Sequence, residues 1–201
     1  MKIEILAATA NPVDLIGYCA GLCYGKSDTS TKRVKACFSR GHLSVFEHAS
    51  FTALIDGISR ACSHQLVRHR LASYTQESQR YTKVDSDDWY VIPPAFEPYK
   101  DWYAGCMNES VAEYEGALAR GIEKEDARFL LPQAATTRIA MTMNCRELFH
   151  FLDLRTAKHA QWEIRDMAYL LADAIADYGP QWAELIDMWI TDANAKGGGH
   201  E

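Results

Sequence analysis

The sequence contains no run of eighteen apolar residues, no Cys-x-x-Cys pair, no secretory leader and no excess of positive charge. The first absence excludes a membrane-spanning helix, so no membrane partner is expected. At the N-terminus Glu4 enters at once and Asn11-Pro12 arrives before any apolar stretch forms. No export signal is therefore read, and the six scattered cysteines are expected to be reduced thiols in a cytoplasmic protein. Without export the acceptor-like Asn108-Glu109-Ser110 carries no meaning. A net charge of −6 argues against a general nucleic-acid binder, whose footprint would be basic. Repeats, low-complexity blocks and a linker between two cores are also missing. With 48% hydrophobic and 24% charged residues, disorder, collagen-like and disulfide-scaffold readings fall away.

What remains is 201 residues, enough for one domain with a real core, expected to span 1–201. Its charge is uneven. Between residues 60 and 83, Arg60, Arg68, Arg70, Arg80 and Lys83 face only Glu77, giving +4 and leaving −10 for the rest. A second set, Arg128, Arg138, Arg146 and Arg155, is mixed with acids. Local arginine in an acidic chain serves either surface ion pairs or an anion, and composition leaves the two open.

Alternation predicts strands at Lys2–Leu6, Phe51–Ile55, Trp89–Ile92 and from Thr137 to Met143. Helical spacing predicts helices from Asn11-Pro12, over Thr29–Arg40, Ile58–Arg70, through Met107, Val111, Tyr114 and Leu118 to Gly121, and over Glu125–Leu131. Asn144-x-x-Glu147 resembles a capping box. A stripe from Ile164 to Tyr178 and a segment from Trp182 to Ile190 extend the helical C-terminus, with 194–201 expected as a disordered tail. Residues 71–80 hold few large apolar groups and read as a loop. Strands and helices mix without regular βα alternation, so an α+β class is predicted.

The densest chemistry lies in Arg68-His69-Arg70-Leu-Ala-Ser73-Tyr74-Thr75-Gln76-Glu77-Ser78-Gln79-Arg80-Tyr81. Arginines followed by hydroxyls, amides and loop N–H groups suit a phosphate cradle better than a solvated helix end. Arg68-His69-Arg70, seven residues and then Ser78 resembles the signature of the flavin-dependent thymidylate synthases. Matching blocks follow in order from about 41 to 165. They are Gly41-His42-x-Ser44-x-Phe46-Glu47-His48, Ala127-Arg128-x-x-Leu131-Pro132, Thr137-Arg138, Asn144-x-Arg146, and Leu154-Arg155 leading to His159-Ala160-Gln161-Trp162-Glu163.

The resemblance implies a thymidylate synthase-complementing-protein-like fold, with a central, mostly antiparallel sheet flanked by helices. It implies a methyltransferase making dTMP from dUMP, with methylenetetrahydrofolate as carbon donor and NADPH-reduced FAD as hydride source. It also implies a homotetramer with sites shared between subunits, consistent with the lack of a GxGxxG turn. For FAD it implies Ser44, Arg68, His69 and Arg70, completed by Gln76, Asn144, Arg146 and His150, with His42 near the flavin. For dUMP it implies Gln65, Arg68, Gln76, Glu77 and Ser78, then Gln79, Arg80, Arg128 and Arg155. Arg155 is the implied catalytic residue, stabilising charge that develops on the uracil edge. Gln76 departs from the Glu of many members, and His150 from the Asn of some.

Other readings compete for the same residues. Ser78 has no base placed to make it a nucleophile. The cysteines read as buried, inert thiols. The histidines lack zinc-ligand spacing, and no metal is expected. His159 is readable as a core residue holding Arg155. A non-catalytic flavin or nucleotide-binding regulator, and a single-stranded nucleic-acid binder stacking bases on Tyr74 and Tyr81, are the rival functions.

Overall fold

A computed structural model describes residues 1–84 and 88–195. Four strands, β1 (Lys2–Ala8), β2 (Ser50–Ser59), β3 (Ser73–Gln76) and β4 (Thr136–Asn144), form one sheet in the order β1-β2-β4-β3, every pair antiparallel. The period of two is plainest in β4. Thr137, Ile139, Met141 and Met143 are buried, while Arg138 and Thr142 face out. In β2, Phe51, Ala53 and Ile55 share the buried face, and an extra residue, Gly57, interrupts the register. Its φ of +79° is a conformation glycine adopts without strain. The bulge returns Ile58 to the face of Ile55 and delivers Ser59 inward at the strand's end.

Eight helices join these strands among the described residues: α1 (Pro12–Leu22), α2 (Thr31–Ser39), α3 (Arg60–Leu66), α4 (Lys100–Ala119), α5 (Lys124–Ala127), α6 (Cys145–Arg155), α7 (Trp162–Asp177) and α8 (Pro180–Ala195). The main core joins the sheet to α1, α2, α6, α7 and α8 through Ile16, Val34, Leu148, Leu171 and Trp182. Phe46 and Phe149 in this core meet each other and the half-buried Phe38 edge to face, a geometry aromatic quadrupoles favour. Trp182 lies within this core and donates its Nε1–H to the Thr9 carbonyl at 2.9 Å. The start of α6 is set by Asn144, whose side chain accepts from the Glu147 N–H at 2.9 Å. Gln161 caps α7 in the same way through the N–H groups of Glu163 and Ile164.

The expected α+β class and antiparallel sheet are observed. Several boundaries differ, each for a physical reason. The helix expected over Ile58–Arg70 is only Arg60–Leu66. The β2 ladder holds the chain through Ser59, and Ser59 then caps the helix by accepting from the Cys62 N–H. At the other end the Tyr74 hydroxyl lies 3.0 Å from the carbonyl oxygens of both Leu66 and His69, drawing the chain into a turn. The segment read as a loop contains β3, an edge strand too short and polar to show a period. Trp89–Ile92 is not a strand. It makes a single bridge, Tyr90 with Ala135, before Pro93 and Pro94 remove two ladder donors. Asn194 and Ala195, assigned to a tail, lie in α8; the rest of that expected tail is outside the described residues.

Candidate functional site

Helix α6 organises one half of the site. Arg146 stands in its first turn, His150 one turn later and Arg155 at its end. Arg146 pairs with Glu47 and lines a cavity of about 340 Å³ with His42 and Ser44, beside Cys23, Tyr24 and Cys37. His150 lies against His69, ring centroids 5.6 Å apart, and Phe151 meets the other imidazole edge-on at 5.3 Å. His69 is 5% exposed, and its Nε2 faces Glu147 Oε2 at 3.7 Å. Burial first, then the charges of His150 and Arg155, lowers its pKa, which favours the neutral ring.

Arg155 is half-buried. Its Nε, with His69 Nε2 and Glu147 Oε2, makes up the buried side-chain polar atoms without a hydrogen-bond partner among the described residues. The charge of Arg155 reaches Cys62, His69 and Tyr74. Even so, burial pushes both the Cys62 thiol and the Tyr74 phenol up to about 12. Burial raises Cys145 as well. Neither buried thiol is a nucleophile at neutral pH. The expectation that all six are buried holds only for Cys62 and Cys145; Cys19, Cys37 and Cys106 are half-buried, and Cys23, the C-cap just past α1, is exposed.

The other half gathers where the segment after β3 meets α5, through Arg80 with Glu125 and Lys124 with the Tyr81 carbonyl. Gln79 lines two adjoining cavities. One, of about 290 Å³, adds Glu77, Lys83, Thr137 and the ion-paired Asp56 and Arg138. The other, of about 370 Å³, adds Arg60, His64 and Arg128. Burial lowers the pKa of Arg60, and the nearby charge of Arg128 lowers it further. Two guanidiniums facing one cavity favour an anion between them. Arg80 pairs with Glu125 at 2.7 Å, and Arg128 donates its Nε–H to the Glu125 carbonyl at 2.9 Å. The Ser78 hydroxyl accepts from the Arg80 N–H at 3.3 Å.

The expected site residues thus fall into two clusters, with Arg155, expected at dUMP, on the α6 side. Among the described residues no hydrogen bond or ion pair joins His69 or Arg155 to Arg80 or Arg128. Arg68 and Arg70 flank His69 and are exposed, and Gln65 is half-buried in α3. Gln76 is engaged within the fold, donating its amide hydrogens to Ser63 at 2.8 Å and Thr137 at 3.2 Å. His159 is exposed and is not a core residue. Tyr74, offered as a stacking platform, is half-buried with its hydroxyl tied to backbone carbonyls, which removes that role. Among the described residues no group of three or more His, Cys, Asp or Glu is arranged to hold a metal.

Sequence reasoning gave no site role to Arg60, Glu147 or Glu163. Arg60 counted only toward the +4 window. Glu147 was legible only as a capping residue. Glu163 is 2% exposed and accepts from both the N–H and the hydroxyl of Ser59, each at 2.6 Å. Its signals were its place at the end of the matching block His159-Ala160-Gln161-Trp162-Glu163 and a carboxylate directly before Ile164 at the head of an apolar stripe.

Residues 4–181 match the sequence model of the thymidylate synthase complementing protein family. The chain is 40% identical to the flavin-dependent thymidylate synthase of Pyrococcus furiosus, over 92% of this chain and 85% of that one. It is 42% identical to that of Geobacter sulfurreducens, over 90% and 84%. The fold is similar to a crystal structure of the flavin-dependent thymidylate synthase from Helicobacter pylori complexed with FAD and dUMP. The TM-score is 0.77 at 23% identity, with 92% of this chain and 99% of that chain covered.

Proposed function

The chain belongs to the thymidylate synthase complementing protein family, the flavin-dependent thymidylate synthases, and on that premise we propose how its residues divide the work of that methyltransferase reaction. FAD is held by the α6 half of the site. The cavity with His42, Ser44 and Arg146 takes one part of it, while His69, Asn144, His150 and the exposed guanidiniums of Arg68 and Arg70 take the rest. The donor set fits a large anionic cofactor, since Arg146 lines the cavity with His42 and Ser44, and Arg68 and Arg70 add exposed guanidiniums. When bound, FAD supplies the hydride that completes the new methyl group.

The dUMP phosphate is held by Arg60, Arg80 and Arg128, with Ser78 and Gln79 as neutral donors. Arg80 exchanges Glu125 for the phosphate, and Gln65 and Glu77 line the approach. Gln76 acts chiefly by bracing β3 against α3. Arg155 stabilises negative charge on the uracil edge as C5 becomes nucleophilic, as an oxyanion hole does. A half-buried guanidinium with an unpaired Nε at the end of α6 is the observation that carries this assignment.

Methylenetetrahydrofolate supplies the carbon and NADPH the electrons. The assembly is a homotetramer of single domains in the cytoplasm, in which subunits bring the two clusters of one site together. Exposed Trp102 and Phe129, 64% and 82% accessible, support burial between subunits. Helix α8 is 16 residues long, and no described helix is long and apolar enough to cross a membrane. The identity to enzymes named synthases disfavours a non-catalytic regulator.

The test is the visible spectrum of the purified protein before and after NADPH, with and without dUMP, followed by dTMP formation once the folate is added. A yellow protein that NADPH bleaches and that forms dTMP is expected. A colourless protein that cannot be loaded with FAD overturns the reading.

A further inference from the structure

We infer that Glu147 is a positioning residue, holding the His69 ring as its Nε2–H tautomer and so leaving Nδ1 as a hydrogen-bond acceptor toward the bound cofactor. The inference starts from what surrounds the ring. From α6 come the Glu147 carboxylate at 3.7 Å, the His150 ring at 5.6 Å, the edge of Phe151 at 5.3 Å and the charge of Arg155. From β3 comes Tyr74, whose hydroxyl holds the His69 carbonyl and fixes the backbone beneath the ring. The flanking Arg68 and Arg70 are exposed.

A neutral imidazole carries one N–H, and the neighbour of each nitrogen decides which nitrogen keeps it. A carboxylate only accepts. With the proton on Nδ1, two buried acceptors would oppose each other at Nε2; with the proton on Nε2, donor meets acceptor. At 3.7 Å the contact is electrostatic, longer than a hydrogen bond. Of the two ring nitrogens only Nε2 is both sealed from solvent and without a partner, which leaves Nδ1 as the accessible one. Glu147 is also fixed from its own end, because Asn144 takes its backbone N–H. The consequence is a polarity rule for the site: at His69 the protein accepts a hydrogen bond and does not donate one.

The cofactor half of this inference rests on the placing of FAD beside His69, and the experiment separates the two halves. Long-range ¹H–¹⁵N correlation spectra of the intact apoprotein, labelled in histidine, report the protonation of each ring nitrogen. The His69 signals are identified by their loss in His69→Gln. At a pH about two units above the ordinary histidine pKa, the Nε2–H form of His69 is expected in about tenfold or greater excess, a ratio that a buried donor facing a carboxylate supports. In Glu147→Gln, which keeps the shape and loses the charge, that excess falls by about threefold or more. A dominant Nδ1–H form in the wild type, or an unchanged ratio in Glu147→Gln, overturns the role of Glu147. On adding FAD, the Nδ1 resonance is expected to move with the Nε2–H form retained. The predicted tautomer with an unmoved Nδ1 overturns the cofactor half alone.

Discussion

Replacing Glu163 by alanine tests whether the core holds the site's shape through one buried carboxylate. Glu163 accepts two 2.6 Å hydrogen bonds from Ser59, whose Oγ in turn accepts from the Cys62 N–H at 2.9 Å. One side chain thus ties α7 to the junction of β2 and α3, directly before Arg60. Truncation strands a buried N–H and a buried hydroxyl, at about 1–3 kcal/mol each. Glu163→Ala should therefore cost about 4 kcal/mol, or about 8–16 °C in Tm for a domain of this size. Glu163→Gln should cost only about 1–2 kcal/mol, because an amide oxygen still accepts from the Ser59 N–H and its NH₂ donates to Oγ, leaving one hydroxyl proton unmatched. Thermal and urea unfolding would be followed for the wild type, both variants, Ser59→Ala and the Ser59→Ala/Glu163→Ala double mutant. FAD and protein concentration must be held constant, since anything that binds only the folded state shifts the apparent stability. The double-mutant cycle should return a coupling of about 1 kcal/mol or more. A Glu163→Ala cost below about 0.5 kcal/mol, or a coupling near zero, would refute the argument.

Arg155→Ala should keep its yellow FAD while dTMP formation drops by about a hundredfold or more, the usual effect of removing a transition-state charge donor; near-normal turnover would remove Arg155 from the catalytic role. Arg60→Ala should raise the KM for dUMP and leave FAD binding intact, as steady-state kinetics and flavin titration would record, whereas equal loss of both would place Arg60 elsewhere. The pKa of His69 is lowered by folding, so its contribution to stability is full above the unfolded value of 6.5 and is lost as pH falls toward the lower folded value. Urea unfolding at about pH 8 and about pH 5.5 should accordingly show a larger loss for the wild type than for His69→Gln. A thiol reagent at neutral pH should modify the exposed Cys23 first, and reach buried Cys62 and Cys145 only on unfolding.

Legibility followed periodicity. Long elements with one buried face, such as β4 and α7, were plain in the sequence because burial repeats at the period of the backbone. Short elements were not. Four residues in β3 are too few to show alternation, and the end of α3 depends on Tyr74, eight residues beyond Leu66. The cationic character of the site was visible as a +4 window in an acidic chain, but which arginines face one another was not. Arg60 and Arg128 are 68 residues apart, and only the fold brings them to one cavity.

Residue types and their order along the chain determined the class of fold, the family and the anionic nature of the ligands, because those depend on local pattern and on motif spacing. Tertiary structure alone decided which polar groups are buried and what each of them meets. It turned Glu147 from a helix cap into the carboxylate facing His69, and Glu163 from the end of a motif block into the tie between α7 and the start of α3. Those assignments rest on desolvation and on contacts between residues 78 and 104 positions apart, and neither quantity is written into a local run of sequence.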